Sequence, residues 1–143
     1  MSIWFKAYTL SDFQHRSANT MIEHLGIELI EIGEDYLVAR MPVDHRTKQP
    51  EGLLHGGASL VLAETLGSVG AFLCIDPTRK QVFGLEINAN HLRAVQDGYV
   101  VGTARPIHRG NSVHVWEIKI QDEKKNLVCI SRITLLIQDR RNK

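Results

Sequence analysis

GASLVLAETLGSVGAFLC, Gly57 to Cys74, is the stretch that decides how the rest of the chain must be arranged. It is apolar almost all round, with Glu64 as its single charge. A helix with that pattern is buried on its sides rather than laid on a surface. Its start carries His55, Gly56, Gly57 and Ser59, and Asp76-Pro77 marks its end, since proline does not continue the turn. The spacing therefore predicts one long helix, buried all round, over 57–74.

Strands are expected on either side of it. Ile27–Ile32 and Tyr36–Met41 flank Gly33-Glu34-Asp35, a hairpin signal. Downstream, Val82–Ala89 alternates and places Phe83, Leu85 and Ile87 on one face. Tyr99–Arg105, Val113–Gln121 and Leu127–Gln138 follow, separated by turn residues, with His114, Trp116, Ile118 and Ile120 sharing a face. Leu127–Gln138 is apolar on both faces and reads as a central strand or one covered by a partner. Near the start, Leu10–Asn19 and Met21–Leu25 read as short amphipathic helices stopped by Gly26. An antiparallel sheet wrapped round one helix, an α+β domain spanning 1–143, is the simplest arrangement. One sheet cannot hide so apolar a helix, so an oligomer is expected.

Composition narrows the function classes. At 143 residues with 43% apolar and 23% charged residues, the chain is sized and composed for one core and is not disordered. Seventeen basic against sixteen acidic side chains argue against nucleic acid as a partner. No run approaches the roughly 20 apolar residues of a bilayer span, and Met1–Leu10 lacks the apolar core of a signal peptide. Two cysteines, Cys74 and Cys129, make no disulfide framework. A cytoplasmic protein with reduced thiols is the expectation.

Within the apolar helix Glu64 stands out. A carboxylate buried there would be costly to ionise, which makes it a candidate general base or nucleophile; the plainer reading is a carboxylate paired structurally with an arginine. Ser68 falls about 40° round the helix from Glu64, on the same face, where its hydroxyl either holds a water or bonds the carbonyl one turn back. Thr65, about 100° away, points elsewhere. The loop Gln49-Pro50-Glu51-Gly52-Leu53-Leu54-His55-Gly56-Gly57 feeds the helix start, where free N–H groups favour developing negative charge. His55 and Gln49 would add side-chain donors. No GxSxG, Walker or GxGxxG pattern is present, and the seven histidines show no HExxH pairing, so no metal or cofactor is called for.

These strings, Met41-Pro42-Val43-Asp44, Gln49-Pro50, Gly52 to Ser59 and Leu62 to Ser68, closely resemble those of the hotdog-fold acyl-CoA thioesterases. Gly84-Leu85-Glu86-Ile87-Asn88-Ala89-Asn90-His91 looks like the branch of the 1,4-dihydroxy-2-naphthoyl-CoA thioesterases of menaquinone biosynthesis and the enterobactin proofreading thioesterases. The resemblance implies hydrolysis of an aryl- or acyl-CoA thioester, coenzyme A being part of substrate and product. It assigns Glu64 as the catalytic carboxylate, Gln49, His55 and the N–H of Gly56 or Gly57 as carbonyl polarisers, and Ser68 as the group positioning water or product. It also implies a homodimer with Glu64 facing the partner's loop, paired again into a homotetramer. His91 and Arg93, beside Gly84 and Asn90, match positions near the CoA phosphates; His108, Arg109, Gly110, Asn111 and Ser112 match a nucleotide-contacting turn. Position 51 departs, holding Glu where Phe is usual. The same fold hosts dehydratases and hydratases of 3-hydroxyacyl thioesters, and a non-catalytic acyl-CoA binder is the third reading.

Overall fold

The computed structural model describes residues 1–141. After one 3₁₀ turn (Leu10–Phe13) and a one-turn helix α1 (Met21–His24), the chain forms β1 (Glu28–Ile32) and β2 (Leu37–Pro42). Helix α2 (Gly56–Leu73) follows, then β3 (Lys80–His91), β4 (Tyr99–Arg109), β5 (Val113–Gln121) and β6 (Leu127–Asp139). The strands make one six-stranded sheet in the order β1-β2-β4-β5-β6-β3, every pairing antiparallel. The chain leaves the sheet after β2, crosses it as α2 and rejoins at the far edge as β3. This is the helix-wrapped sheet that the apolar segment demanded, and β6, paired on both sides, is the interior strand its two apolar faces indicated.

Small residues let α2 lie close to the sheet. A Cβ at Gly70 would come within 2.8 Å of the Trp116 ring, and one at Gly102 within 2.8 Å of Leu66. Leu62, Leu66 and Leu73 fill the space between, each essentially inaccessible. By length and composition α2 would pass for a membrane span. Here one side of it is the core of the sheet.

That side is only part of its circumference, which corrects the expectation of burial all round. Val61, Thr65, Ser68, Val69 and Phe72 are half-buried, and Glu64 is exposed. Two further expectations change. Leu10–Asn19 forms one 3₁₀ turn and loose turns instead of a helix, ending at Asn19 with φ 60°. In β3 the register shifts between Gly84 and Glu86, so Leu85 is an extra, bulged residue and the regular Phe83-Leu85-Ile87 face does not exist.

The amino-terminal segment straps the far end of α2. Phe5 N–H donates to the Leu73 carbonyl at 2.7 Å, and Trp4 Nε1–H to the Gly33 carbonyl at 2.7 Å. The Trp4 ring stacks on Trp116, centroids 6.2 Å apart. Trp116 Nε1–H donates to Nδ1 of buried His114 at 3.3 Å, which leaves the His114 proton on Nε2. Burial, with Arg109 and His108 nearby, pushes the His114 imidazole down to about 4. The unfolded chain then takes up this proton first, near pH 6.5. Stability is expected to be full above about pH 6.5 and to fall by on the order of 3 kcal/mol as pH drops to about 4. Urea midpoints across that window should show a slope that His114→Phe removes.

Candidate active site

The loop before α2 is built rigid. Asp44 accepts from the Arg46 backbone N–H and from its guanidinium at 2.8 and 3.1 Å, which holds its carboxyl down to about 2. Buried Thr47 donates its hydroxyl to the Pro42 carbonyl at 2.7 Å. The chain then doubles back. Gly52 N–H donates to the Gln49 carbonyl at 2.9 Å, Gln49 N–H to the Leu53 carbonyl at 2.8 Å, and His55 N–H to the Thr47 carbonyl at 2.8 Å. Gly52 sits at φ 80° in this turn, a conformation that favours glycine. Glu51, the unusual acid, is exposed at its tip, and its N–H donates to Gln49 Oε1. The Gln49 amide nitrogen has no hydrogen-bond partner among the described residues.

His55 caps the helix. Its Nδ1 accepts from Gly57 N–H at 2.8 Å, which puts the proton of the neutral ring on Nε2. Of the two glycines proposed as polarisers, Gly57 is therefore satisfied within the chain. Gly56 N–H has no partner among the described residues. Gly56 N–H and His55 Nε2–H thus stand unpartnered among the described residues at the helix start, with Gln49 on the loop that leads into it.

Glu64 stands further along α2. Its carboxylate makes no hydrogen bond or ion pair among the described residues, so the arginine partner of the plainer reading is not supplied. It lies against β3: a Cβ at Gly84 would come 2.8 Å from Oε1. Glu64 is exposed in the protomer, so the burial expected of it is not provided by this chain's own packing. The back-bond anticipated for Ser68 belongs instead to Thr65, whose hydroxyl donates to the Val61 carbonyl at 2.7 Å. The Ser68 hydroxyl has no partner among the described residues.

Thr65 points elsewhere, as its helical angle predicts, and it lines a cavity of about 470 Å³. Leu29, Ala39, Val69, Phe13 and Ile22 are among its other walls, and Glu23 and Glu28 stand at it. The 3₁₀ turn and the one-turn helix near the chain start thus build part of a cavity; their apolar residues were visible in the sequence, the cavity was not.

The remaining predicted residues fall into two groups at opposite ends of the sheet. Asn90 and His91 close β3 near the start of α2, with Arg93 just beyond, while His108 and Arg109 end β4 at the other end and Gly110 to Ser112 form the β4–β5 turn. There Gly110 N–H donates to the Val113 carbonyl, and Ser112 accepts from Ile137 N–H, each at 2.8 Å. Arg109 reaches back to the Ile3 carbonyl at 3.5 Å and lies beside Cys74. Asn111 and Ser112 are exposed. Burial pushes the Cys74 thiol up to about 11 despite Arg109, and Cys129 is also raised by burial, so neither offers a thiolate near neutrality. Among the described residues no trio of His, Cys, Asp or Glu is placed to hold a metal ion.

Comparison with known proteins places this geometry. Residues 51–129 match the family model described as the thioesterase superfamily. The chain is 50% identical over 135 residues to the 1,4-dihydroxy-2-naphthoyl-CoA hydrolase of Escherichia coli, covering 94% of this chain and 98% of that protein. It is 48% identical over 137 residues to the proofreading thioesterase EntH of Cronobacter turicensis, with the same coverage. A crystal structure of a mutant of thioesterase PA1618 from Pseudomonas aeruginosa superposes with a TM-score of 0.95 at 42% identity, covering 97% of this chain and all of that one. With the donors at the helix start, the helix carboxylate and the wrapped sheet, these matches make the chain a member of the thioesterase superfamily, a hotdog-fold thioester hydrolase.

Proposed function

We propose that the chain hydrolyses aryl- or acyl-CoA thioesters to the acid and free CoA, in a site completed by a second copy. One observation carries the second half of that reading. The donors sit at the first turn of α2 and Glu64 eight residues beyond Gly56, about 12 Å along the helix. One thioester carbonyl cannot touch both ends within a single chain. Two copies paired antiparallel through the exposed β3 edge would bring the Glu64 of one toward the loop of the other. Phe83 and Leu85 on that edge are 47% and 58% exposed, a large apolar area for an unpaired strand.

In this reading Gly56 N–H, His55 Nε2–H and the Gln49 amide bind the carbonyl oxygen and take up its negative charge as the tetrahedral centre forms. Glu64 then has two routes. Its oxygen attacks the carbonyl carbon, the C–S bond breaks to release CoA thiolate, and water hydrolyses the mixed anhydride; or Glu64 removes a proton from a water held by Ser68, and that water attacks. The cavity lined by Thr65, the neighbour of Glu64 on α2, is the space this reading offers the acyl group; its apolar walls and two carboxylates favour a neutral acyl group, aromatic or medium-chain, over one ending in a carboxylate.

Mixing two inactive variants tests the shared site. Glu64→Ala and His55→Ala subunits, unfolded together and refolded, should pair at random, and each mixed dimer would hold one intact site. Thiol release from phenylacetyl-CoA should recover to roughly a quarter of wild type. No recovery, with mixed dimers demonstrated by mass spectrometry, would place both groups in one subunit and overturn the shared site.

A further inference from the structure

The bulge at Leu85 re-aims everything after it in β3. Residues directly opposite in an antiparallel pair face the same side of the sheet. Gly84 lies opposite Leu135, Ile87 opposite Ile133 and His91 opposite Cys129, and all three β6 partners are buried on the helix side. Were Leu85 paired in a regular ladder, Glu86, Asn88 and Asn90 would face the helix and His91 would face outward. With Leu85 bulged out, the His91 imidazole folds under the start of α2: a Cβ on Gly56 would lie 2.8 Å from His91 Nε2. Main-chain bonds fix the approach, Leu92 N–H to the Val128 carbonyl and Leu54 N–H to the Val95 carbonyl, each at 2.8 Å. No partner among the described residues takes either ring nitrogen.

Arg93 goes another way. It lies toward Asp122, whose carboxyl is held below the usual range by the Asn126 N–H first and by Arg93 among the lesser causes. The two residues that resemblance groups as phosphate contacts are thus divided between the helix start and the β5–β6 turn.

We infer that His91 acts at the carbonyl end of the thioester, as a further donor beside Gly56 N–H, and not at the nucleotide. This rests on the reading of the helix start as the polarising site. Its ring flanks the one backbone donor left free there, and glycine at 56 is what gives the ring room. The proton it shares with the developing oxyanion returns as the tetrahedral centre collapses and CoA thiolate leaves, so no net charge is left on the ring.

Truncated substrates decide the matter. His91→Ala, His91→Asn and His55→Ala should be compared on one acyl group carried by CoA and by N-acetylcysteamine, which keeps the thioester and lacks the nucleotide. His91 is exposed and its side chain makes no hydrogen bond among the described residues, so circular dichroism and elution volume should match wild type. His91→Ala should lower kcat about 10- to 100-fold on both substrates, with Asn recovering part of the loss. A loss confined to the CoA thioester and to KM would overturn the inference and return His91 to the phosphates. So would an unchanged rate on both while His55→Ala is slow. If His55→Ala is also unimpaired on both, the polarising site itself is wrong and the inference falls with it.

Discussion

Glu64→Ala is expected to slow thiol release from phenylacetyl-, hexanoyl- and hydroxynaphthoyl-CoA by about 10³-fold, within the range spanned by lost acid–base groups. The fold should not notice. The carboxylate is exposed and has no hydrogen-bond or salt-bridge partner among the described residues, and alanine is a better helix former than glutamate. Urea midpoints should hold steady or rise slightly. That split between rate and stability separates a chemical role from a structural one, because a structural carboxylate would lower the midpoint instead. Unchanged thiol release would remove Glu64 from the mechanism. Label found in the Glu64 carboxylate after a single turnover in ¹⁸O-water would establish attack by Glu64 itself, with water opening the anhydride at the Glu64 carbonyl, since activation of a water places no label there. Gly84 belongs to the same argument. A methyl group there meets Oε1, so Gly84→Ala should turn the carboxylate aside and reproduce part of the loss.

Trp116→Ala is expected to cost about 3–5 kcal/mol, the scale of emptying a buried aromatic site. The ring is inaccessible, packs on Gly70, stacks with Trp4 and donates to His114. Alanine removes all four contributions and leaves a buried imidazole nitrogen without its donor. Against a total stability of roughly 5–15 kcal/mol, that is a large share of what holds the protein folded. Denaturation followed by far-ultraviolet circular dichroism would read the loss. Trp116→Phe keeps a ring on Gly70 and should lose clearly less; equal losses would mean that the hydrogen bond, and not the ring, holds this corner.

The long helix was legible to within a residue at each end because its signals are local: an apolar run between His55-Gly56-Gly57 and Asp76-Pro77. The six strands were legible for the same reason, though β3 and β4 extend beyond their apolar cores into polar residues that the ladder still pairs. What the sequence hid is non-local. Apolar residues on every side of α2 declare how much surface must be covered and not by which chain, so Glu64 looked buried where this protomer leaves it exposed. The donors at Gln49, His55 and Gly56 were legible as residue types, whereas the choice between Gly56 and Gly57 depended on the His55 ring turning back to cap one of them. The bulge was invisible because Phe83, Leu85 and Ile87 alternate as a regular strand would, with Gly84 the one hint.

That single inserted residue gives β3 one unit of slack. Its side chain is more than half exposed, and many substitutions there should be tolerated. Removing the position should be tolerated too. A one-codon deletion at 85 would leave Gly84 opposite Leu135, Glu86 opposite Thr134 and His91 opposite Cys129, so the ladder closes up and the faces of Glu86 to His91 are kept. In a deep scan of this gene, position 85 should therefore accept most amino acids and their absence as well, whereas pulling Leu85 into the ladder by one extra residue of register would turn the imidazole out to solvent.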